Sequence, residues 1–278
     1  TFGPRRRSAK MVVVVIHLAA LRKGKSVNQI TRVQPRAEVA VRREVVRVGV
    51  DLSKRVIQVH AVDAAGRVVT NRALARDAFM AWCAQLPAGC MVAMEVSSSA
   101  HHWARKLVAM GFDARIVSAQ LCAPYRAEGA SGKNDANDAA AICEAAGRPH
   151  MRFVPVKSIE QQSMLTVHRL REGFKEDRTA CINRIRGLLL EFGVAIAKGV
   201  RALELMLDDV LEEACNEMNF LTRIALQRAQ AQWRELDAHV AWCDERIAEH
   251  AKNNDAVKRA GELMGIGPIG ASASLLIA

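Results

Sequence analysis

The stretch VVRVGVDLSKRVIQVHAVDAAGRVVTN, residues 45–71, decides the fold. Its β-branched run VVRVGV ends in an acid, Asp51, and RVIQVHAV alternates apolar with polar residues. Asp63-Ala64-Ala65-Gly66 is turn chemistry, and RVVTN resumes the extended pattern. Three short strands joined so tightly predict an antiparallel meander. Working outward, DAFMAWCAQL (77–86) reads as a helix stopped by Pro87 and Gly89. CMVAME (90–95) is a short buried strand closed by Glu95. AHHWARKLVAM (100–110) is an amphipathic helix with Gly111 as its C-cap, and DARIVS (113–118) is another strand. AEGASGK (127–133) is expected to be a mobile loop, after which helix formers resume at Asp135 under a cap from Asn134 or Asp135. The order β-β-β-α-β-α-β-α describes an α/β unit in which hairpin strands join a parallel half. It differs from the βαβαβ order of a dinucleotide fold, and no GxGxxG follows the first strand.

Beyond Gly147 the chain becomes helical. A helix is predicted from about 158 to 192, with Val167, Leu170, Phe174, Cys181, Ile185, Leu188 and Phe192 as its apolar stripe. Its solvent face is expected to carry Arg169, Arg171, Lys175, Arg178, Arg184 and Arg186. Gly193 to Gly199 breaks it. From roughly 220 to 252, Leu226, Ala229, Trp233, Leu236, Val240, Cys243 and Ile247 recur at the three-four spacing of a coiled-coil seam. Two readings stand side by side: an oligomerisation arm, or an intramolecular hairpin with the 158–192 helix. GELMGIGPIGASASLLIA (261–278) looks like a tight Gly-rich turn opening a short apolar helix, and turns of this kind can present backbone N–H groups to a phosphate.

Composition sets outer bounds. Half of the 278 residues are hydrophobic but only 4% are aromatic, so the core rests on Val, Leu, Ala and Ile. The seven cysteines contain no CxxC pair and read as small buried apolar residues of an intracellular protein. The formal charge of +11 is uneven. Residues 1–47 carry twelve Lys/Arg against Glu38 and Glu44, residues 148–201 carry an excess of six positive charges, and 202–278 an excess of six negative ones. The apolar patch MVVVVIHLAA (11–20) is too short to span a bilayer, so residues 1–44 read as a basic, disordered or extraneous extension.

Four acids carry the chemistry. Asp51 and Glu95 sit at the ends of buried strands, while Asp135 and Asp138, three apart in KNDANDAAAICEAA, share one helix face. Carboxylates suit Mg²⁺ or Mn²⁺, because such ions are hard and take oxygen ligands. A pair of them activates a nucleophile and stabilises the leaving oxygen in phosphoryl displacement. Read singly, each acid also has a plain role: Asp51 in a turn, Glu95 near a helix N-terminus, and the DxxD pair on a solvated face. Lys133 is a candidate phosphate contact or a solvated loop lysine. His101 and His102 read as core-edge or surface residues, and the Ser97-Ser98-Ser99 run as cap and turn rather than nucleophile.

At these residues the chain resembles the IS110-family transposases, particularly the IS1111-like branch. The matching stretches are VGVDLSKRVIQVHAVDAAGRVV, VAMEVSSSAHHWARKL and GKNDANDAAAICEAA, with WCDERIAE and GIGPIGASASLLIA further on. The resemblance covers about 46 to 278. It implies an RNase H-like (RuvC-like) mixed sheet with helices over 45–150, a helical, coiled-coil-like region over 151–257, and the start of a truncated C-terminal transposase domain over 258–278. Asp51, Glu95, Asp135 and Asp138 fall on the family's DEDD tetrad, as catalytic and metal-binding residues. The family pairs that site with a serine nucleophile in its C-terminal domain, expected beyond Ala278. Ser272 and Ser274 belong to that domain's opening helix and are not cast in the role. The implied partners are double-stranded donor and target DNA, a guide (bridge) RNA and further copies in a dimer or tetramer, with no membrane, in the bacterial cytoplasm at the nucleoid. Nucleic acid is expected on Lys133 and the Arg/Lys face of 169–186. Two alternatives remain at this point: a stand-alone Mg-dependent structure-selective nuclease, and a non-catalytic nucleic-acid-binding, oligomerising remnant.

Overall fold

A computed structural model describes residues 44–126 and 134–277. The meander forms as β1 (Arg47–Leu52), β2 (Val56–Val62) and β3 (Val68–Ala75), each antiparallel to the one before. β4 (Met91–Glu95) then adds parallel to β1 on its other side, and β5 (Asp113–Val117) parallel to β4. The two-residue β6 (Phe153–Val154) closes that edge antiparallel to β5, giving one six-stranded mixed sheet ordered β3-β2-β1-β4-β5-β6.

Period-two alternation gives the sheet two faces. Val48, Val50, Ile57, Val59, Val92, Met94 and Ile116 point to one side. There they pack with Phe79 and Trp82 of the short α1 (Phe79–Cys83) and with Trp103, Ala104 and Leu107 of α2 (Ala100–Ala109). α1 keeps only the middle of the predicted 77–86 helix, because turns flank it on both sides. On the other face Ala93 and Val117 pack with Ile142, Ala145 and Ala146 of α4 (Asp135–Ala146) and with Cys122, the last residue of α3 (Ala119–Cys122). A 3-10 turn, Ala123–Tyr125, follows α3 directly.

α5 (Ile159–Glu191) starts under a reciprocal capping box between Ser158 and Gln161 and runs for 33 residues, about 50 Å at the helical rise. α7 (Phe220–Asn253) lies antiparallel against it within the same chain, since Arg171 meets Asp244, Arg178 meets Asp237, and the Cys181 thiol reaches the carbonyl of Ala229. Of the two readings of the predicted seam, the intramolecular hairpin is the one this chain forms. The stripe of α5 also differs from its prediction: Cys181, Ile182, Ile185 and Leu189 are buried, whereas Leu170 and Leu188 are exposed. A helix not expected from sequence, α6 (Val200–Glu212), explains the shift, because its Leu203, Leu207, Val210 and Leu211 complete a three-helix core with α5 and α7.

α8 (Asp255–Gly261) and α9 (Pro268–Ile277) are joined by a turn in which Gly265 has φ of 86°, a left-handed conformation that favours glycine. Ser272 of α9 is fully buried, and its hydroxyl lies 2.9 Å from His168 Nε2 and 3.1 Å from His250 Nδ1, fastening α9 to the α5–α7 hairpin. Six of the seven cysteines are buried and all are unpaired, as their scattered spacing suggested. Among the described residues no helix is long and apolar enough to cross a membrane. The leading arm to residue 43 and the expected loop 127–133 lie outside the described residues.

Candidate functional site

On β1, Gly49 and Asp51 share the face opposite Val48 and Val50, and on β4 Ala93 and Glu95 share the face opposite Val92 and Met94. β1 and β4 run in parallel with Gly49 beside Ala93 and Val50 beside Met94, so Asp51 and Glu95 close the two strands at the same edge. Both carboxylates therefore stand on the α4 side of the sheet.

α4 reaches them because Gly49 has no side chain. A Cβ there would sit 2.1 Å from the carbonyl oxygen of Ala139 and 2.5 Å from the backbone nitrogen of Cys143, so any larger residue pushes the helix away. Further along, Gly147 at the end of α4 lies against the Arg47 guanidinium at the start of β1, so the helix runs antiparallel to the strand. Its first turn, with Asp135 and Asp138, is thereby carried towards Asp51. Asn134 caps this turn by accepting from the backbone N–H of Asn137 at 2.9 Å. The helix dipole favours negative charge at that end.

The electrostatics register the convergence. The pKa of Asp51 is raised above the ordinary 3.8, first by burial and then by the negative charges of Asp135, Asp138 and Glu95, against a smaller opposite pull from Arg126. Arg126 is the functional group that the sequence reading missed. Its Nη2 donates to Glu95 Oε2 at 2.9 Å and its Nε to Asp138 Oδ1 at 2.7 Å, so one guanidinium spans two of the four acids. No local pattern marks it: it is a single arginine after the 3-10 turn. Only the end of β5 and the packing of Cys122 beneath α4 bring it to the site.

The four acids are thus assembled at one sheet edge with a protein cation among them. As placed, no three His, Cys, Asp or Glu side chains among the described residues form a ready metal cage. The chemistry of the donors still fits a hard divalent cation, because all are carboxylate oxygens, their charges repel, and a positive charge already sits between two of them.

The remaining candidates are dispersed. Arg171 is only 13% exposed at its side chain and bridges Asp244 and Glu172, which leaves little of it for solvent. Lys175 pairs with Glu172, Arg178 pairs with Asp237, and Arg186 donates to the carbonyls of Ile196, Ala197 and Gly199 in the loop after α5. The continuous solvent-facing row expected on α5 is therefore interrupted, and Arg169 and Arg184 are its exposed arginines. The physical reason is local neighbours of three kinds: α7 supplies acids to Arg171 and Arg178, α5 itself supplies Glu172 to Lys175, and the loop after α5 supplies carbonyls to Arg186. Lys133 lies outside the described residues. His101 is a structural residue, its Nδ1 accepting from the backbone N–H of Lys157 at 3.2 Å. Ser99 stands at the N-cap of α2 as anticipated, though its side chain makes no capping bond.

Comparison with known proteins bears on this geometry. Residues 48–193 match the family described as Transposase, of the IS110 DEDD type, a span that holds all four acids. The chain is 41% identical over 228 residues to "Probable family 20 transposase" of Pseudomonas aeruginosa, covering 82% of this chain and 66% of that protein. It is 34% identical over 219 residues to the transposase for insertion sequence element IS1111A of Coxiella burnetii, covering 79% and 59%. The transposase for insertion sequence element IS1328 of Yersinia enterocolitica is 31% identical over 226 residues, covering 81% and 65%. The chain spans about two thirds or less of the length of these relatives. With more than half of its residues inside the family match and its four acids gathered at one sheet edge, the chain belongs to the IS110 family of DEDD transposases.

Proposed function

We propose that Asp51, Glu95, Asp135 and Asp138 form the metal-dependent catalytic centre of an insertion-sequence transposase acting on the phosphodiester backbone of donor and target DNA. The observation that carries this reading is the convergence itself: Gly49 admits the helix that brings two of the acids, and the pKa of Asp51 is raised first by burial and then by the other three. A sheet ordered β3-β2-β1-β4-β5-β6 with α4 across it is consistent with an RNase H-like core over 45–150, followed by the helical region 151–257 and the start of a further domain over 258–278.

Mg²⁺ or Mn²⁺, when bound, supplies Lewis-acid stabilisation at a phosphate. The chain's own residues do the rest. Asp51 and Glu95 hold fixed positions on rigid strands, Asp135 and Asp138 approach from the first turn of α4, and Arg126 balances the charge of Glu95 and Asp138; the four carboxylates would hold the cation. Guidance by a structured RNA, a covalent serine and assembly into dimers or tetramers rest on the family resemblance.

One observation favours a second reading, in which this chain binds nucleic acid without catalysis: Arg126 already neutralises two of the acids. Thermal melts of the wild type and of Asp51→Asn and Asp138→Asn, titrated with Mg²⁺ and Mn²⁺ with and without a DNA duplex, separate the two. The catalytic reading expects the wild type to be stabilised by the metal and both variants to lose most of that response. Equal responses in all three proteins exclude these carboxylates as ligands.

A further inference from the structure

We propose that a positively charged band at the same sheet edge, running from the β1–β2 turn across the α2 surface to the foot of α5, seats the sugar-phosphate backbone of duplex DNA. The proposal rests on reading the neighbouring acids as a DNA-processing centre, and it moves the electrostatic grip from the α5 face predicted by sequence to residues that, Arg169 apart, were not singled out there.

A groove of about 570 Å³ is lined by Lys54, Arg55, Arg76, Asp77, His102 and Trp103. Lys54 and Arg55 lie in the turn that begins two residues after Asp51, at the end of the sheet that carries the carboxylates, while α2 lies on the opposite face from α4. Arg76 is held in place twice, by donating to the Ser53 carbonyl at 2.7 Å and by lying 5.1 Å over the Trp103 ring. Lys106 sits 5.6 Å from the same ring. A buried indole thus holds two cations at the surface, an arrangement cation–π attraction stabilises.

The positive charge continues beyond the groove. The pKa of His102 is lowered by burial and then by Lys106, Arg105 and Arg76; that of His101 is lowered by burial and then by Lys157, Arg105 and Arg169. Each histidine thus feels several cations. Asp77 and Glu160 are the acids at the two ends of the band. Among the described residues Lys54, Arg55, Arg76, Lys106 and Arg169 form no ion pair with a carboxylate, whereas Arg171, Lys175 and Arg178 on α5 all do. Unpaired cations crowded at fixed positions release counterions when a polyphosphate binds; cations already paired to acids do so far less.

The test uses the full chain, a labelled mixed-sequence DNA duplex, EDTA in place of divalent metal, and a salt titration followed by fluorescence anisotropy. Lys54→Gln, Arg55→Gln and Lys106→Gln together, at exposed positions, are expected to leave the melting curve intact and to weaken binding roughly tenfold or more at moderate salt. The slope of log K against log salt should fall by about 2 to 3. Lys175→Gln with Arg178→Gln on α5, both already paired to acids, should change affinity less than about twofold. Unchanged affinity and slope in the triple variant overturn the proposal, as does a larger loss from the α5 pair. So does a band-dependent preference for duplex RNA over duplex DNA. Because metal is absent, wild-type binding that depends on the band but is followed by no metal response leaves this proposal standing while defeating the catalytic one.

Discussion

Asp51 binds its proton more tightly in the folded chain than in the unfolded one, because burial and three neighbouring acids raise its pKa above 3.8. Its ionisation therefore opposes folding: the folded state holds more protons in the window above 3.8, and stability falls as pH rises through that window. Without divalent metal, Asp51→Asn should melt at a higher temperature than wild type near neutral pH. The gap should narrow as pH is lowered towards 3.8. A lower melting temperature at neutral pH would show that no such repulsion exists. Arg126 works in the other sense. Replacing it with Gln removes partly exposed charge-assisted bonds to Glu95 and Asp138, and should destabilise the metal-free chain by about 1 kcal/mol. Added Mg²⁺ should restore that loss, which paired denaturation curves measure. The four acids were legible in the sequence because strand ends and an i, i+3 pair follow from local periodicity. Arg126 was not, since nothing within its own segment distinguishes it from a solvated arginine.

Among the elements, α4 was legible to its ends: Asn134 caps it, and Gly147 follows its last residue. The reason it lies where it does is a single missing side chain on the neighbouring strand. Gly49→Ala would push a methyl into the backbone of Ala139 and Cys143, so we expect a loss of about 1–3 kcal/mol by chemical denaturation, with a weaker metal response because Asp135 and Asp138 move away. α6 was missed although Leu203, Leu207 and Leu211 carry helical spacing; it sits between a glycine-rich break and the next long helix, and its burial depends on both neighbours. β6 is two residues long and carries no readable period, so its place is decided by pairing with Ile116 and Val117. At α9, Ser272→Ala would strip a hydrogen-bond partner from both His168 and His250 and should cost about 1–2 kcal/mol, most visible as earlier loss of α8–α9 protection in hydrogen exchange.

Across the whole molecule, a net charge of +11 says less about nucleic acid than its pairing does. The basic segment 148–201 packs against the acidic segment 202–278, with Asp237 and Asp244 of α7 taking up Arg178 and Arg171 of α5. Two of the helical arginines are thus neutralised inside the hairpin. Asp237→Asn frees Arg178, whereas Arg171 would keep Glu172 if Asp244 were changed, so in Asp237→Asn duplex DNA affinity at low salt should rise about twofold or more, with a salt slope steeper by about 1. Unchanged affinity would mean that the freed arginine remains out of reach of the duplex.

Residue identity and local period alone determined the meander, the capped helix, the two long helices and the placing of acids at two strand ends and on one helical turn. These depend on neighbours a few positions apart, where backbone geometry leaves few choices. The tertiary structure alone decided that Arg126 stands among those acids, that α7 takes up two arginines of the α5 row, and that unpaired cations collect around Trp103. Each of these depends on distances between residues remote along the chain, and electrostatic energy follows distance in space, which no local period encodes.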